Sequence, residues 1–157
     1  MSRRRRAVKR EIYPDVQFGS RLVGRLVNTV MERGKRSVAQ RIVYGAFDQI
    51  VEIQEGTTAL EVLERAVEIA KPRLEVKSRR VGGATYQVPM EVTGERSEAL
   101  ALRWIVQFAK SRKGTPMGNA LAKEIMEAYE GEGSSIRRRD EVHRMAQANK
   151  AFAHFRW

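Results

Sequence analysis

Apolar residues recur every three or four positions along most of this chain, which is the period of an amphipathic helix. Six such stretches are present, each bounded by residues that start or stop helices. In the third, Thr58 and Glu61 have the spacing of a capping box, and Pro72 cannot continue the helix. The predicted helices run from Ser20 to Gly34 and over about 37–55, 58–71, 97–111, 115–129 and 137–157. The pattern predicts a mainly α fold, a single domain of six helices.

Between the third and fourth helices the period changes from helical to alternating. Residues 73–92, RLEVKSRRVGGATYQVPMEV, alternate apolar and polar positions on both sides of a Gly-Gly pair. Such alternation is typical of a strand with one buried face, so the segment predicts a protruding two-stranded β-hairpin. Five cations between Lys71 and Arg80 make its first strand strongly basic.

The register of this hairpin can be tested against the apolar pattern, because directly opposed residues share a face of the sheet. A two-residue turn at Gly82-Gly83 would place Lys77 opposite Val88 and so mix cationic and apolar residues. An odd loop, covering either 82–84 or 80–84, separates the two kinds of residue equally well. We therefore predict an odd loop or a bulge, with one mainly apolar face and one cationic face.

The charge of the chain indicates the kind of partner. Thirty Lys and Arg against nineteen Asp and Glu give the 157 residues a net charge of +11, which favours nucleic acid or an anionic membrane surface. Residues 1–19 have no periodic apolar pattern, so we expect a flexible basic arm ahead of a helical domain over 20–157. The chain has no Cys and no apolar run near the ~20 residues of a membrane span, so we expect a soluble intracellular protein.

Sites for catalysis are not evident in the sequence. No Ser-His-Asp order, phosphate-binding loop or paired-carboxylate site stands out. His143 and His154 lie eleven residues apart without a carboxylate-rich ligand set, which favours surface roles over metal binding. We expect no enzymatic activity, no cofactor and no small-molecule substrate.

Several residues suit contacts with nucleic acid. Cations of the hairpin can meet phosphates, and Tyr86 can stack on a base, although an ordinary hairpin with solvated cations is the alternative. Lys35 and Arg36 oppose the dipole of the helix that they precede, which favours an anionic partner or, almost equally, a solvated turn. Arg156 and Trp157 suit a stacking and phosphate-contacting tip, and they suit an apolar helix end equally well.

Two other classes of protein share part of this pattern. A DNA-bending protein with β-arms usually inserts an apolar wedge at the arm tip, whereas this tip is Gly82-Gly83-Ala84. A membrane-surface protein needs a basic amphipathic helix, and the first helix carries few cations. RNA binding is the interpretation that the sequence favours.

Four segments resemble the bacterial small-subunit ribosomal protein seven family. They are ERGKRSVAQRIVYGA (32–46), RRVGGATYQVP (79–89), ALRW (101–104) and HRMAQANKAFAHFRW (143–157). Four motifs in the same order are specific where one alone would be weak. The resemblance implies six helices with a protruding hairpin and direct binding to the 3′ major domain of small-subunit rRNA. It further implies nucleation of subunit head assembly, proximity to exit-site tRNA and the mRNA exit path, and ribosomal protein eleven as a neighbour. The location would be the small ribosomal subunit of the cytoplasm, with an organelle left open.

The resemblance also implies site residues. Thr93-Gly94-Glu95 departs from the family pattern, so an rRNA contact at this junction is assigned to Arg96 alone. The expected rRNA-binding residues are Arg3, Arg4, Arg5, Arg6, Lys9, Arg10, Lys35, Arg36, Arg73, Lys77, Arg79, Arg80, Arg96 and Met117. With the stacking candidates above, the residues expected near tRNA or mRNA are Val81, Gly82, Gly83, Ala84, Tyr86, Arg144, Lys150, Arg156 and Trp157.

Overall fold

The computed structural model describes residues 10–54 and 56–155. Within them, six α-helices, two β-strands and a short 3₁₀ helix are present, and the hairpin lies between the third and fourth helices. The elements are α1 Arg21–Val30, α2 Arg36–Ile53, α3 Ala59–Ala70, β1 Leu74–Val81, β2 Ala84–Glu91, α4 Gly94–Ser111, α5 Met117–Tyr129, α6 Gly133–Ala148 and the C-terminal 3₁₀ helix Lys150–Phe155. The predicted mainly α single domain with an inserted hairpin is confirmed.

Helix α5 lies at the centre of the packing and contacts α2, α3, α4 and α6. Its buried face is rich in small side chains, including Ala120, Ala122 and Ala128, so neighbouring helices can approach closely. A Cβ at Gly118 would lie 3.5 Å from the carbonyl oxygen of Ile42 on α2. The largest fully buried apolar side chains include Leu121 and Ile125 of α5 itself, together with Leu26 of α1, Phe47 and Ile50 of α2, Leu63 of α3, and Leu102 and Ile105 of α4.

The segment before α1 is attached to α2 through a buried carboxylate. Asp15 is 2% exposed, and both of its carboxylate oxygens accept from the Tyr44 hydroxyl at 2.9 Å. Burial, followed by this hydrogen bond, raises the pKa of Tyr44 above its usual value of 10.0. The Phe18 ring packs edge-on against Phe47, with centroids 4.9 Å apart. These contacts were not anticipated for a flexible arm; the arm's predicted flexibility stays a prediction, and residues 1–9 lie outside the described residues.

The register of the hairpin corrects the predicted odd loop. The strands pair with Val81 opposite Ala84, so the turn is the two residues Gly82-Gly83. Both glycines have positive φ, +59° and +93°, which is what the two-residue turn of type I′ requires and what Gly adopts without steric cost. Lys77 therefore lies opposite Val88, in the pairing that the sequence argument rejected.

The mixed face is stable because the cations on it are amphipathic. Val88 is completely buried, whereas the ammonium of Lys77 reaches Glu75 on the same face at 3.2 Å. A Lys or Arg side chain can cover apolar surface with its methylene groups and still place its charge at a polar partner. The separation of the hairpin into an apolar and a cationic face was therefore a wrong prediction.

Helix boundaries are confirmed at some ends and shifted at others. The capping box of α3 is present, with Thr58 N–H donating to Glu61 at 3.0 Å and Glu61 N–H donating to Thr58 at 3.3 Å. The sixth helix ends at Ala148 instead of continuing to the last residue, and the Asn149 side-chain amide donates to the Met145 carbonyl at this end, at 2.8 Å. The predicted Thr115 cap is also wrong, because α5 begins at Met117 without a side-chain cap.

Candidate nucleic-acid interface

The turn between α1 and α2 presents cations beside an open groove. Arg33 and Gly34 both adopt positive φ, +52° and +76°, which reverses the chain within a few residues. Arg33, Lys35 and Arg36 are exposed and form no ion pair with any residue in 10–54 and 56–155. Two of these cations lie at or just before the N-terminus of α2, where the helix dipole is positive. An anion at this turn would therefore be stabilised both by the side-chain charges and by the dipole.

The same groove brings together two residues that the sequence predicted separately. Lys35, from the α1–α2 turn, and Met117, from the start of α5, both line a cavity of about 490 Å³. Lys110 at the end of α4 also lines it and pairs with Glu32 at 2.5 Å, which lowers the pKa of Glu32 below its usual value of 4.5. Sequence reasoning missed Arg33 and Lys110, although the cations flanking Gly34 were a visible signal for the first.

At the base of the hairpin, two predicted RNA contacts share one carboxylate. Glu75 is 8% exposed and receives both the Arg96 guanidinium, at 2.8 to 2.9 Å, and the Lys77 ammonium at 3.2 Å. A carboxylate that is largely buried needs such partners, because an unpaired charge there would be costly. Arg96 and Lys77 therefore have an internal structural role in this protein, and their contact with rRNA stays a prediction.

The entry to β1 is fixed by a histidine of α6. The backbone N–H of Arg73 donates to Nε2 of His143 at 2.9 Å, so this nitrogen carries no proton. Burial, together with the charge of Arg139, lowers the pKa of His143 below its usual value of 6.5 and favours that neutral form. The side chain of Arg73 remains exposed.

The outer half of the hairpin is held on one face and open on the other. Arg79 donates to the backbone carbonyl of Phe155, and the opposing Tyr86 ring lies 5.2 Å from Phe152 and 4.9 Å from Phe155. Tyr86 is therefore half-buried in an aromatic cluster, and its contact with a base stays a prediction. Arg80 points to the opposite face and is exposed, as are Gly82, Gly83 and Ala84 at the tip, whereas Val81 is half-buried.

The remaining predicted residues are dispersed. Arg144 on α6 and Lys150 in the 3₁₀ helix are exposed. Arg10 is exposed and lines a shallow cavity that also includes Glu95 and Glu98. The predicted contacts Arg3, Arg4, Arg5, Arg6, Lys9, Arg156 and Trp157 lie outside the described residues.

The described residues show neither a metal-binding cluster nor a helix that could span a membrane. In the described part of the chain, no three His, Asp or Glu side chains are grouped so that they could hold a metal ion. His143 accepts from a backbone N–H, and Nδ1 of His154 lies 2.8 Å from the Ala151 carbonyl oxygen. Among those same residues, no helix combines the length and apolar character that crossing a bilayer would require.

Comparison with known proteins identifies the family of this chain. The sequence matches the family described as ribosomal protein S7p/S5e over residues 2–150. The chain belongs to this family. The S7p/S5e family consists of structural, non-enzymatic ribosomal proteins, and RNA binding and a role in translation follow from membership.

Curated relatives match from end to end. The chain is 59% identical over 157 residues to a small ribosomal subunit protein uS7 from Akkermansia muciniphila, covering all of both chains. It is 54% identical over 157 residues, again with full coverage of both, to proteins of that name from Francisella tularensis subsp. holarctica and Francisella tularensis subsp. novicida. The resemblance on which the site residues were assigned is confirmed, and this member of the S7p/S5e family is a structural protein of the small ribosomal subunit.

Proposed function

We propose that this protein binds the 3′ major domain of 16S rRNA directly and nucleates assembly of the head of the small subunit. It further lines the exit site for tRNA and the mRNA exit path and neighbours ribosomal protein eleven of the platform. Its location is the small ribosomal subunit, which is cytoplasmic in bacteria.

The main support for this proposal is the cluster of cations at the α1–α2 turn. Arg33, Lys35 and Arg36 present three positive charges side by side in a chain of net charge +11, without an ion pair among the described residues. Like charges spaced this closely along the chain repel one another, and phosphates in the adjacent groove would offset that repulsion. The groove has an apolar wall as well, formed by Val38 and Met117, against which a sugar or base can pack.

The test compares nucleic acids at one salt concentration, because phosphate charge dominates affinity. Purified protein is titrated with a transcript of the 3′ major domain, a transcript of another rRNA domain and duplex DNA. We expect tight binding to the first and weak, strongly salt-dependent binding to the other two. Equal affinity for all three would contradict a specific rRNA site.

A double variant locates the binding surface. Lys35→Ala with Arg36→Ala should weaken binding to the 3′ major domain and reduce the slope of log K against log salt by about 0.7–0.9 for each phosphate that the variant no longer neutralises. The matched control is Arg137→Ala with Arg138→Ala, which also removes two cations, both on α6; Arg138 is already paired with Glu141 at 2.5 Å. If the control variant weakened binding as much as the double variant, the turn would not be the RNA-binding surface.

A further inference from the structure

The hairpin is supported along one face at three heights. At its base, Arg73 N–H donates to His143; midway, Val88 is completely buried; near the tip, Tyr86 contacts the rings of Phe152 and Phe155. Of the two strands, β1 packs mainly on α6 and β2 mainly on the C-terminal 3₁₀ helix. The outer half of the hairpin therefore has the 3₁₀ helix as its support.

Each of these two elements would be only marginally stable in isolation. An isolated two-stranded hairpin is marginal in water, because it cannot bury an apolar face. A 3₁₀ helix of six residues has poor hydrogen-bond geometry, and Lys150–Phe155 contains no fully buried residue. Mutual packing supplies what each lacks, so disrupting this packing loosens both.

Arg79 closes the interface between the two elements by a directional bond. Its guanidinium donates to the carbonyl of Phe155, at the end of the 3₁₀ helix, while the ring of the same residue packs on Tyr86. Arg79 and Tyr86 are themselves directly opposed across the strands. One cross-strand pair thus holds both the backbone and the side chain of Phe155.

We propose that Arg79 and Tyr86 are positioning residues that hold the hairpin and the C-terminal 3₁₀ helix as one rigid unit. The hairpin and the 3₁₀ helix, both proposed to lie near exit-site tRNA, then keep a constant relative orientation. A change in one of them alters the orientation of the other. The consequence for tRNA rests on the proposed function, whereas the rigid unit itself is a property of the free protein.

The chain supplies a matched control at the next residue. Arg80 carries the same charge on the same strand but lies on the opposite, exposed face. Within residues 10–54 and 56–155, the Arg80 side chain forms no hydrogen bond or ion pair, whereas its backbone takes part in the strand pairing opposite Thr85. Arg79→Ala and Arg80→Ala each remove one positive charge from β1, but only Arg79→Ala removes the hydrogen bond to Phe155.

The experiment measures the distance between the hairpin and the 3₁₀ helix. Because the chain has no Cys, Ala84→Cys and Ala153→Cys place two spin labels at unique, exposed positions, one on each element, and neither label is directly opposite Arg79 or Arg80. Electron–electron double resonance should give a narrow distance distribution in the labelled parent and in its Arg80→Ala derivative. Arg79→Ala and Tyr86→Ala should broaden it at least about twofold, while the thermal transition of the helical core stays in place.

Conservative variants separate positioning from bulk packing. Tyr86→Phe keeps the ring, and Arg79→Lys keeps a donor for the Phe155 carbonyl, so both should retain most of the narrow distribution. The proposal would be overturned if the distance distributions of Arg79→Ala and Arg80→Ala had equal widths. It would also be overturned if Tyr86→Phe and Arg79→Lys broadened the distribution as much as the alanine variants do. The distances are measured on the free protein, without RNA. If the proposed function were wrong, the protein would fail to bind the 3′ major domain while the distance distribution stayed narrow. Failure of the rigid unit is therefore distinguished from failure of the proposed function.

Discussion

Replacing Arg112 by Met tests how α6, which carries Arg144, is held on the body of the protein. The Arg112 guanidinium donates to Glu124 at 2.6 Å and to Glu127 at 2.5 Å. Glu124 is 0% exposed, and its second oxygen accepts from the backbone N–H of Ser135 at 3.0 Å, in the first turn of α6. One buried carboxylate thus joins the end of α4, the middle of α5 and the start of α6.

The expected cost follows from burial. Removing one partner of a buried ion pair usually costs about 3–5 kcal/mol, because the remaining charge is desolvated and unpaired. The Arg112 side chain is 25% exposed, so water can reach part of the site and the low end, about 3 kcal/mol, applies. For a domain of this size that corresponds to a fall in Tm of about 6–12 °C.

The assay is thermal unfolding followed by circular dichroism, with Arg138→Met as the control. Arg138 and Glu141 form an exposed pair, 41% and 57% accessible, so its loss should cost less than about 1 kcal/mol. If Arg112→Met lowers Tm no more than the control does, the reasoning is wrong. Adding Glu124→Gln to Arg112→Met should recover part of the loss, because the amide can still accept from Ser135 and carries no charge to desolvate. Absence of recovery would also contradict the argument.

Two further predictions concern a close contact and a titrating side chain. Gly24→Ala would place a Cβ 2.7 Å from the backbone oxygen of Tyr13 and should destabilise the fold by about 1–3 kcal/mol. Gly45→Ala, with no atom within 4 Å of the new Cβ, should instead stabilise α2 by up to ~1 kcal/mol. Equal melting temperatures of the two variants would contradict this prediction. Burial lowers the pKa of His143 below 6.5 in the folded protein, so the unfolded chain takes up a proton more readily. The stability that neutral His143 contributes is therefore present above pH 6.5 and is lost as the pH falls through the pKa of the folded state. The Tm of the wild type should therefore fall relative to that of His143→Gln between about pH 7.5 and 5.5, and parallel profiles would refute the assignment.

The helical framework was predictable because local information determines it. The apolar period places the stripes that become the core, and Thr58 with Glu61 supplies both halves of a capping box within four residues. Pro72 and the Gly82-Gly83 pair act on the backbone wherever they occur. The family resemblance was likewise visible, since its motifs are runs of adjacent residues.

Errors arose where a side chain acts over a long sequence distance. The start of α6 was placed near Arg137, but α6 begins at Gly133, with the buried Glu124 of α5 accepting from an N–H of its first turn. The cations of the hairpin were predicted to form a face separate from the apolar one, yet Arg79 ends at the carbonyl of Phe155, 76 residues away along the chain. Periodicity describes which residues are apolar, and it carries no information about which distant partner a charged group will find.

What the sequence determined by itself was therefore the set of elements, their order and the basic character of the surface. Each depends on propensity, spacing or summed charge, which are properties of neighbouring residues. The tertiary structure alone decided the two-residue register of the hairpin and the sharing of Glu75 by Lys77 and Arg96. It also decided the alignment of Lys35 with Met117 along one groove. These features depend on how helices pack in space, because packing sets which charges are desolvated and which polar groups lie close enough to pair with them.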